Sequence, residues 1–270
     1  VRVSHEVLIA PQRHIFLSPH YDDIALSAGG TAAAIAAAGR SAEIALLFGS
    51  EPDLAEPLSD FAESMHRNWG MSSTDVISGR RAEEAEASRI LGTTDHFLPF
   101  HDAIYRGHTY LNNAQLFDRP ASSDVTLPAD IVDALDVADA PIGSIRFYVP
   151  LASGFHVDHQ IAFEAGRLLS QAGHEVWLYE DLPYSLNPSK LADRLVDLGD
   201  QVEVVAFVDV AAVWTKKIDA IMAYPSQLVT IFDYVNVGHS REAIDAAMGS
   251  FARAYGDATV PMERYWTFRA

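Results

Sequence analysis

Residues 14–30 read HIFLSPHYDDIALSAGG. The apolar run Ile15-Phe16-Leu17 has the length and composition of a buried strand. Pro19 cannot donate to a sheet ladder, so the strand stops at Ser18-Pro19. Three side chains able to bind metal or move protons follow within four residues: His20, Asp22 and Asp23. Ile24 to Gly39 is then apolar and alanine-rich, which predicts a helix. A His/Asp cluster at a strand-to-helix crossing lies where open α/β sheets bind ligands, outside the carboxyl ends of the strands.

Outward from this stretch, strands and helices alternate. Residues 42–48, 95–100, 145–149, 175–179 and 202–210 read as strands, and residues 78–91, 128–135, 160–172, 211–223 and 241–255 as helices. Ser78 is positioned to cap the first of these helices and Gly92 to end it. Val7-Leu8-Ile9 has the look of a short edge strand, and Tyr265-Trp266-Thr267-Phe268 of an edge strand or packed tail. No repeat, low-complexity tract or linker divides the chain. The pattern predicts one α/β domain over 1–270, Rossmann-like, with a mostly parallel sheet flanked by helices. Two long irregular segments, about 49–79 and 101–127, are expected to face the substrate, since long loops at strand ends carry specificity.

Composition narrows the function. Among 270 residues, 37 are acidic and 19 basic, a formal net charge of -18, which argues against nucleic acid or an anionic membrane as partner. The absence of cysteine removes disulfides, thiolate metal sites and cysteine nucleophiles. The alanine-rich segment is too short for membrane insertion, and no signal-peptide pattern opens the chain. A cytoplasmic protein is expected. Homo-oligomerisation is left open.

A second cluster, His156-Val157-Asp158-His159, again follows a strand and opens a helix. In a parallel sheet the two clusters converge. Two imidazoles and a carboxylate with one position open to water make a common catalytic zinc arrangement, with spare Asp and His groups for acid/base work. Each cluster alone has a plainer reading, a helix cap or a satisfied surface group; together they favour a metal site. His20-x-Asp22 with a distant His also fits the two-His-one-carboxylate site of non-haem iron oxygenases, but the alternation of strands and helices favours zinc hydrolysis. Glu180-Asp181, at the end of another strand, could line the mouth of the site, but such a pair is more often solvated or capping. Trp69, Tyr105 and Tyr110 could stack on a sugar or simply pack the loops.

Pro19-His20-Tyr21-Asp22-Asp23 with Leu26 and Gly29-Gly30 resembles the signature of the LmbE-like, or PIG-L, zinc-dependent N-deacetylases, and His156-Val157-Asp158-His159 matches that family's second motif. The helix from Arg80-Arg81-Ala82-Glu83 to Leu91-Gly92 and the segments 102–106, 179–184 and 263–266 are similar too. The resemblance implies one Zn2+ held by His20, Asp23 and His159, with Asp22 as general base. It implies His156 as the second catalytic group, oriented by Asp158, and Arg80 as a substrate contact. Tyr21 and Ile24 depart from the family's usual proline and glutamate, which suggests a branch with its own substrate. The implied activity is removal of an N-acetyl group from an amino sugar or glycoconjugate; the alternative within the family is a non-catalytic sugar binder.

Overall fold

The computed structural model describes residues 1–52, 57–72, 75–107, 109–255 and 259–269; residues 53–56, 73–74 and 108 of the two long segments lie outside the described ones. The strands are β1 (Arg13–Ser18), β2 (Ser41–Leu46), β3 (Thr94–Phe97), β4 (Ile145–Pro150), β5 (Glu175–Tyr179), β6 (Val202–Asp209) and β7 (Met262–Phe268). They form one seven-stranded sheet in the order β3-β2-β1-β4-β5-β7-β6. β1 to β5 are parallel to one another, whereas β7 runs antiparallel to both β5 and β6. β2 and β3 extend the sheet to one side of β1, and β4 and β5 to the other. The chain order therefore reverses between β1 and β4, which opens a crevice at their carboxyl ends.

Strand alternation divides the core into two layers. Phe16, Tyr148, Trp177 and Tyr179 pack on one face, against Ala32, Ala33 and Ile35 of helix Gly29–Ala37, Leu91 of helix Val76–Leu91 and Ile218 of helix Trp214–Ile221. Ile15, Leu17, Phe147, Val149 and Leu178 pack on the other, against Ile161, Phe163, Ala165 and Leu169 of helix Val157–Gln171. Burial on both faces is why these strands read as continuous apolar runs. A third cluster is built by the long segments themselves, with Ala62, Trp69, Ile77, Ile104, Tyr110 and Leu116 packed on Val157.

Several elements differ from the expectation. Residues 7–9 are not a strand: Ser4 caps a short helix, His5–Leu8, through the Val7 N–H. The helix expected from Ser78 starts two residues earlier, at Val76, because Val76 and Ile77 are themselves buried; Gly92 ends it with φ 83°, a left-handed conformation suited to glycine. The C-terminal strand is internal, inserted between β5 and β6. Helices Pro188–Leu198 and Pro225–Tyr234, each opened by a proline at its first turn, lie in stretches that carried no expectation.

The alanine-rich segment is two helices, Asp23–Ser27 and Gly29–Ala37, broken at Ala28. The break is held from a distance. Glu263 of β7 accepts hydrogen bonds from the Gly30 and Thr31 N–H groups, at 2.9 and 2.8 Å, and so caps the second helix. A Cβ at position 30 would meet Val210 at 2.7 Å and the Glu263 carboxylate at 2.9 Å, so this approach needs glycine.

At the opposite end of β1 from the clusters, His14 is fully buried and shares a 3.1 Å hydrogen bond with the Tyr148 hydroxyl. Burial and then the Arg146 charge push its imidazole down to about 4. The unfolded chain takes up this proton near the ordinary value of 6.5, the folded one only near 4, so stability falls as pH drops through that window. His14→Gln is expected to flatten that part of the pH profile by about 2 kcal/mol at pH 5 relative to pH 7.5. Denaturant titrations of both proteins at the two pH values test it; parallel profiles would show that His14 charges freely in the folded state.

Candidate active site

The crevice gathers both clusters. Past β1, the His20 N–H donates to Asp23 Oδ2 at 2.7 Å, and the Ser18 hydroxyl donates to the His20 carbonyl at 2.6 Å. Asp22 stands just before helix Asp23–Ser27 but makes no capping hydrogen bond, and its buried carboxyl lines the cavity. Past β4, Ala152, Gly154 and Phe155 all have positive φ, a strained path for the two non-glycine residues. A Cβ at Gly154 would meet the Tyr184 ring at 2.7 Å. This turn delivers His156, whose Nδ1 accepts from the Asp158 N–H at 3.2 Å. A neutral imidazole so bonded carries its proton on Nε2.

His159 is tied by Nδ1 to Asp181 Oδ1 at 2.6 Å. Because a carboxylate only accepts, the proton sits on Nδ1 and the lone pair on Nε2. That buried Nε2 has no hydrogen-bond partner and faces Asp23 Oδ2 at 3.4 Å. His20 repeats the arrangement: Nε2 meets Asp158 Oδ2 at 3.0 Å, while Nδ1 faces the same Asp23 Oδ2 at 3.6 Å. Two imidazole lone pairs and a carboxylate oxygen thus confront one another, which is unfavourable unless a proton or a cation lies among them. Carboxylates holding the far nitrogens are the usual support of metal-binding histidines. This donor set fits a divalent cation such as zinc. The ligand atoms of His20, His156 and His159 also lie within 4.8 Å of one another.

The charges follow the same geometry. Burial and then the adjacent Asp23 push the Asp22 carboxyl up to about 6, against the pull of Arg80 and His20. Burial also acts on Asp23, but His159 and His20 outweigh it and hold that carboxyl at about 2. His20 is raised despite its burial, by Asp102, Asp158 and Asp23. His156, with burial and then His20 against it, is held well below the ordinary range and stays neutral. Asp158 is lowered in spite of burial, chiefly by Arg106, whose Nη1 lies 2.7 Å from Oδ1.

The expected contact from Asp158 to His156 comes from the Asp158 backbone, not its carboxylate. The carboxylate instead spans His20, the Ala103 N–H and Arg106. Arg80 is not a solvated helix residue: its guanidinium is sandwiched 4.8 Å from the Tyr21 and Trp69 ring centroids and lines the cavity. Glu180 does not reach the cleft; it is buried against Arg264, the Tyr255 hydroxyl and Trp266 Nε1. Tyr110 bonds Asp124 and Tyr105 pairs with His66, so of the three loop aromatics only Trp69 lines the cavity.

Two residues of the site carried no role in the sequence reading. Asp181 holds His159, and Asp102 lines the cavity with Oδ2 3.7 Å from His20 Nε2. The available signal for Asp181 was its place two residues after β5, the position that His20 occupies after β1. The whole opens into a cavity of about 330 Å³. Among the described residues, no helix is long and apolar enough to cross a membrane.

The family profile described as PIG-L: GlcNAc-PI de-N-acetylase matches residues 15–170. A 2'-N-acetylparomamine deacetylase of Streptomyces fradiae is 31% identical over 219 residues, which span 80% of this chain and 73% of that protein. Among solved structures, a deacetylase of the teicoplanin biosynthesis pathway, in its bog complex, shares the fold with a TM-score of 0.78, at 24% identity over 95% of this chain and 98% of that one. The A40926 pseudoaglycone deacetylase Dbv21 is 26% identical with a TM-score of 0.73, over 96% of this chain and 97% of its own. With more than half its length matched and both His/Asp motifs meeting at the reversal point of the sheet, the chain belongs to the PIG-L family of de-N-acetylases.

Proposed function

We propose that residues 1–270 act as one domain, a zinc-dependent hydrolase that removes an N-acetyl group from an amino sugar or glycoconjugate. The observation that carries this reading is the buried, partnerless Nε2 of His159 facing Asp23 Oδ2, which His20 Nδ1 also faces. His20, Asp23 and His159 would hold the zinc. When bound, the metal lowers the pKa of water and polarises an amide carbonyl. Asp22, buried beside the ligands and free of capping bonds, takes the proton of the attacking water and returns a proton to the leaving amine. His156 donates from Nε2 to the carbonyl oxygen as it becomes negative, an interaction that strengthens only in the transition state. Asp158 orients His20, and Arg80 contacts the sugar from its place between two rings. The products are acetate and a free amine.

The test is metal analysis of the purified protein, then amine release from a panel of N-acetylglucosamine conjugates. Zinc near one equivalent with release supports the reading; no stoichiometric metal and no activity on zinc addition sinks it. Asp181→Asn is expected to lower zinc affinity by about 10- to 100-fold, because His159 loses the carboxylate that fixes its tautomer. Chelator competition reads this directly, and an unchanged affinity would remove His159 from the ligand set.

A further inference from the structure

The cavity changes character between its floor and its mouth. At the floor stand Asp22, Asp23 and Asp102, each less than a tenth exposed, with Arg80 beside them. Towards solvent the wall becomes aromatic. Phe117 is edge-on to His156 at 5.3 Å, and Tyr184 is edge-on to His159 at 5.7 Å. Both rings meet Tyr234, which is 47% exposed and lies nearly parallel to Phe117, at 15° and 6.3 Å. Ile231 and Leu116 continue this wall, and the uncharged polar residues of the cavity are Asn68, Asn113, Gln227 and Thr230. Among the described residues lining the cavity, every carboxylate is at the floor, and Arg80 is the sole lysine or arginine.

We propose that the amino sugar is carried on a neutral aromatic or apolar aglycone, seated against Phe117, Tyr184 and Tyr234 while the acetamide reaches the floor. The inference rests on the deacetylase reading and adds what lies beyond the sugar. Among the described residues lining the mouth, a polycationic aminocyclitol would find no carboxylate, only the weak cation–π attraction of an exposed ring. A phosphodiester would find no lysine or arginine among those mouth residues. An aromatic group gains offset or edge contacts with rings already held in place, at little ordering cost.

The test compares the methyl and 2-naphthyl glycosides of N-acetylglucosamine with 2'-N-acetylparomamine. Binding is measured by calorimetry on the metal-free protein and amine release on the zinc-loaded one. The naphthyl glycoside is expected to bind about tenfold tighter than the methyl glycoside, with a matching ratio in KM. Phe117→Ala and Tyr234→Ala are each expected to shrink that ratio to about twofold. Equal binding of the two glycosides, a ratio indifferent to both substitutions, or tightest binding by 2'-N-acetylparomamine would overturn the proposal. A naphthyl preference in binding, without amine release from any compound, would support the aromatic subsite and fail the deacetylase reading.

Discussion

Asp22→Asn is expected to lower amine release by about two to four orders of magnitude while leaving the zinc content unchanged. The substitution keeps size and hydrogen-bonding shape but removes the ability to take a proton. Asp22 suits that test because its carboxyl makes no capping bond and lines the cavity, whereas its neighbour Asp23 is engaged by the His20 N–H and faces His20 and His159. Parallel measurement of metal content and turnover separates the two aspartates. A protein that keeps its zinc and loses turnover assigns the base to Asp22. Turnover within a few-fold of wild type would dismiss Asp22 as base, and loss of zinc would make it a ligand. A non-catalytic sugar binder, the other reading open within the family, would bind its ligand nearly as well after the change.

The second large effect is on stability. Glu263→Ala is expected to destabilise the fold by about 3–5 kcal/mol, the range for breaking a buried ion pair by removing one partner. Lys217, almost wholly buried, pairs with Glu263 and would be left charged without a carboxylate. The Gly30 and Thr31 N–H groups would lose their acceptor as well, uncapping the helix that follows the first His/Asp cluster. Glu263→Gln, which retains an acceptor oxygen but not the charge, is expected to fall between Glu263→Ala and wild type. Denaturant unfolding at neutral pH measures both. A loss below about 1 kcal/mol for Glu263→Ala would mean that the strand and helix hold their places without this contact.

Much of the architecture was legible because burial writes itself into the sequence. Strands covered on both faces read as apolar runs, and the periodic helices between them imply parallel crossovers, so β1, β2, β4 and β5 could be placed within a residue or two. Two of these runs, β1 and β4, lead into His/Asp segments, which placed the two clusters past strand ends without any knowledge of the pairing. Where the local signal was short or ambiguous, the expectation failed. Val7-Leu8-Ile9 has strand composition, but one serine cap sufficed to make the segment helical. The alanine-rich run reads as one helix although Gly29 and Gly30 weaken it, and the break at Ala28 is capped by Glu263, brought in by the sheet.

The sequence by itself determined the alternating α/β pattern, the two His/Asp motifs and their common position after strands, since each of these depends on neighbouring residues only. Tertiary structure alone decided the partners. That β7 is internal, that Asp181 and Asp158 hold the far nitrogens of His159 and His20, and that Phe117, Tyr184 and Tyr234 meet at the mouth are contacts between segments far apart along the chain. No local periodicity records them, because they arise only when the crossovers fold onto the sheet and the chain reverses between β1 and β4. The protonation of His20 and His159, and hence the nitrogen each leaves to bind a cation, follows from those distant partners rather than from the motifs that carry them.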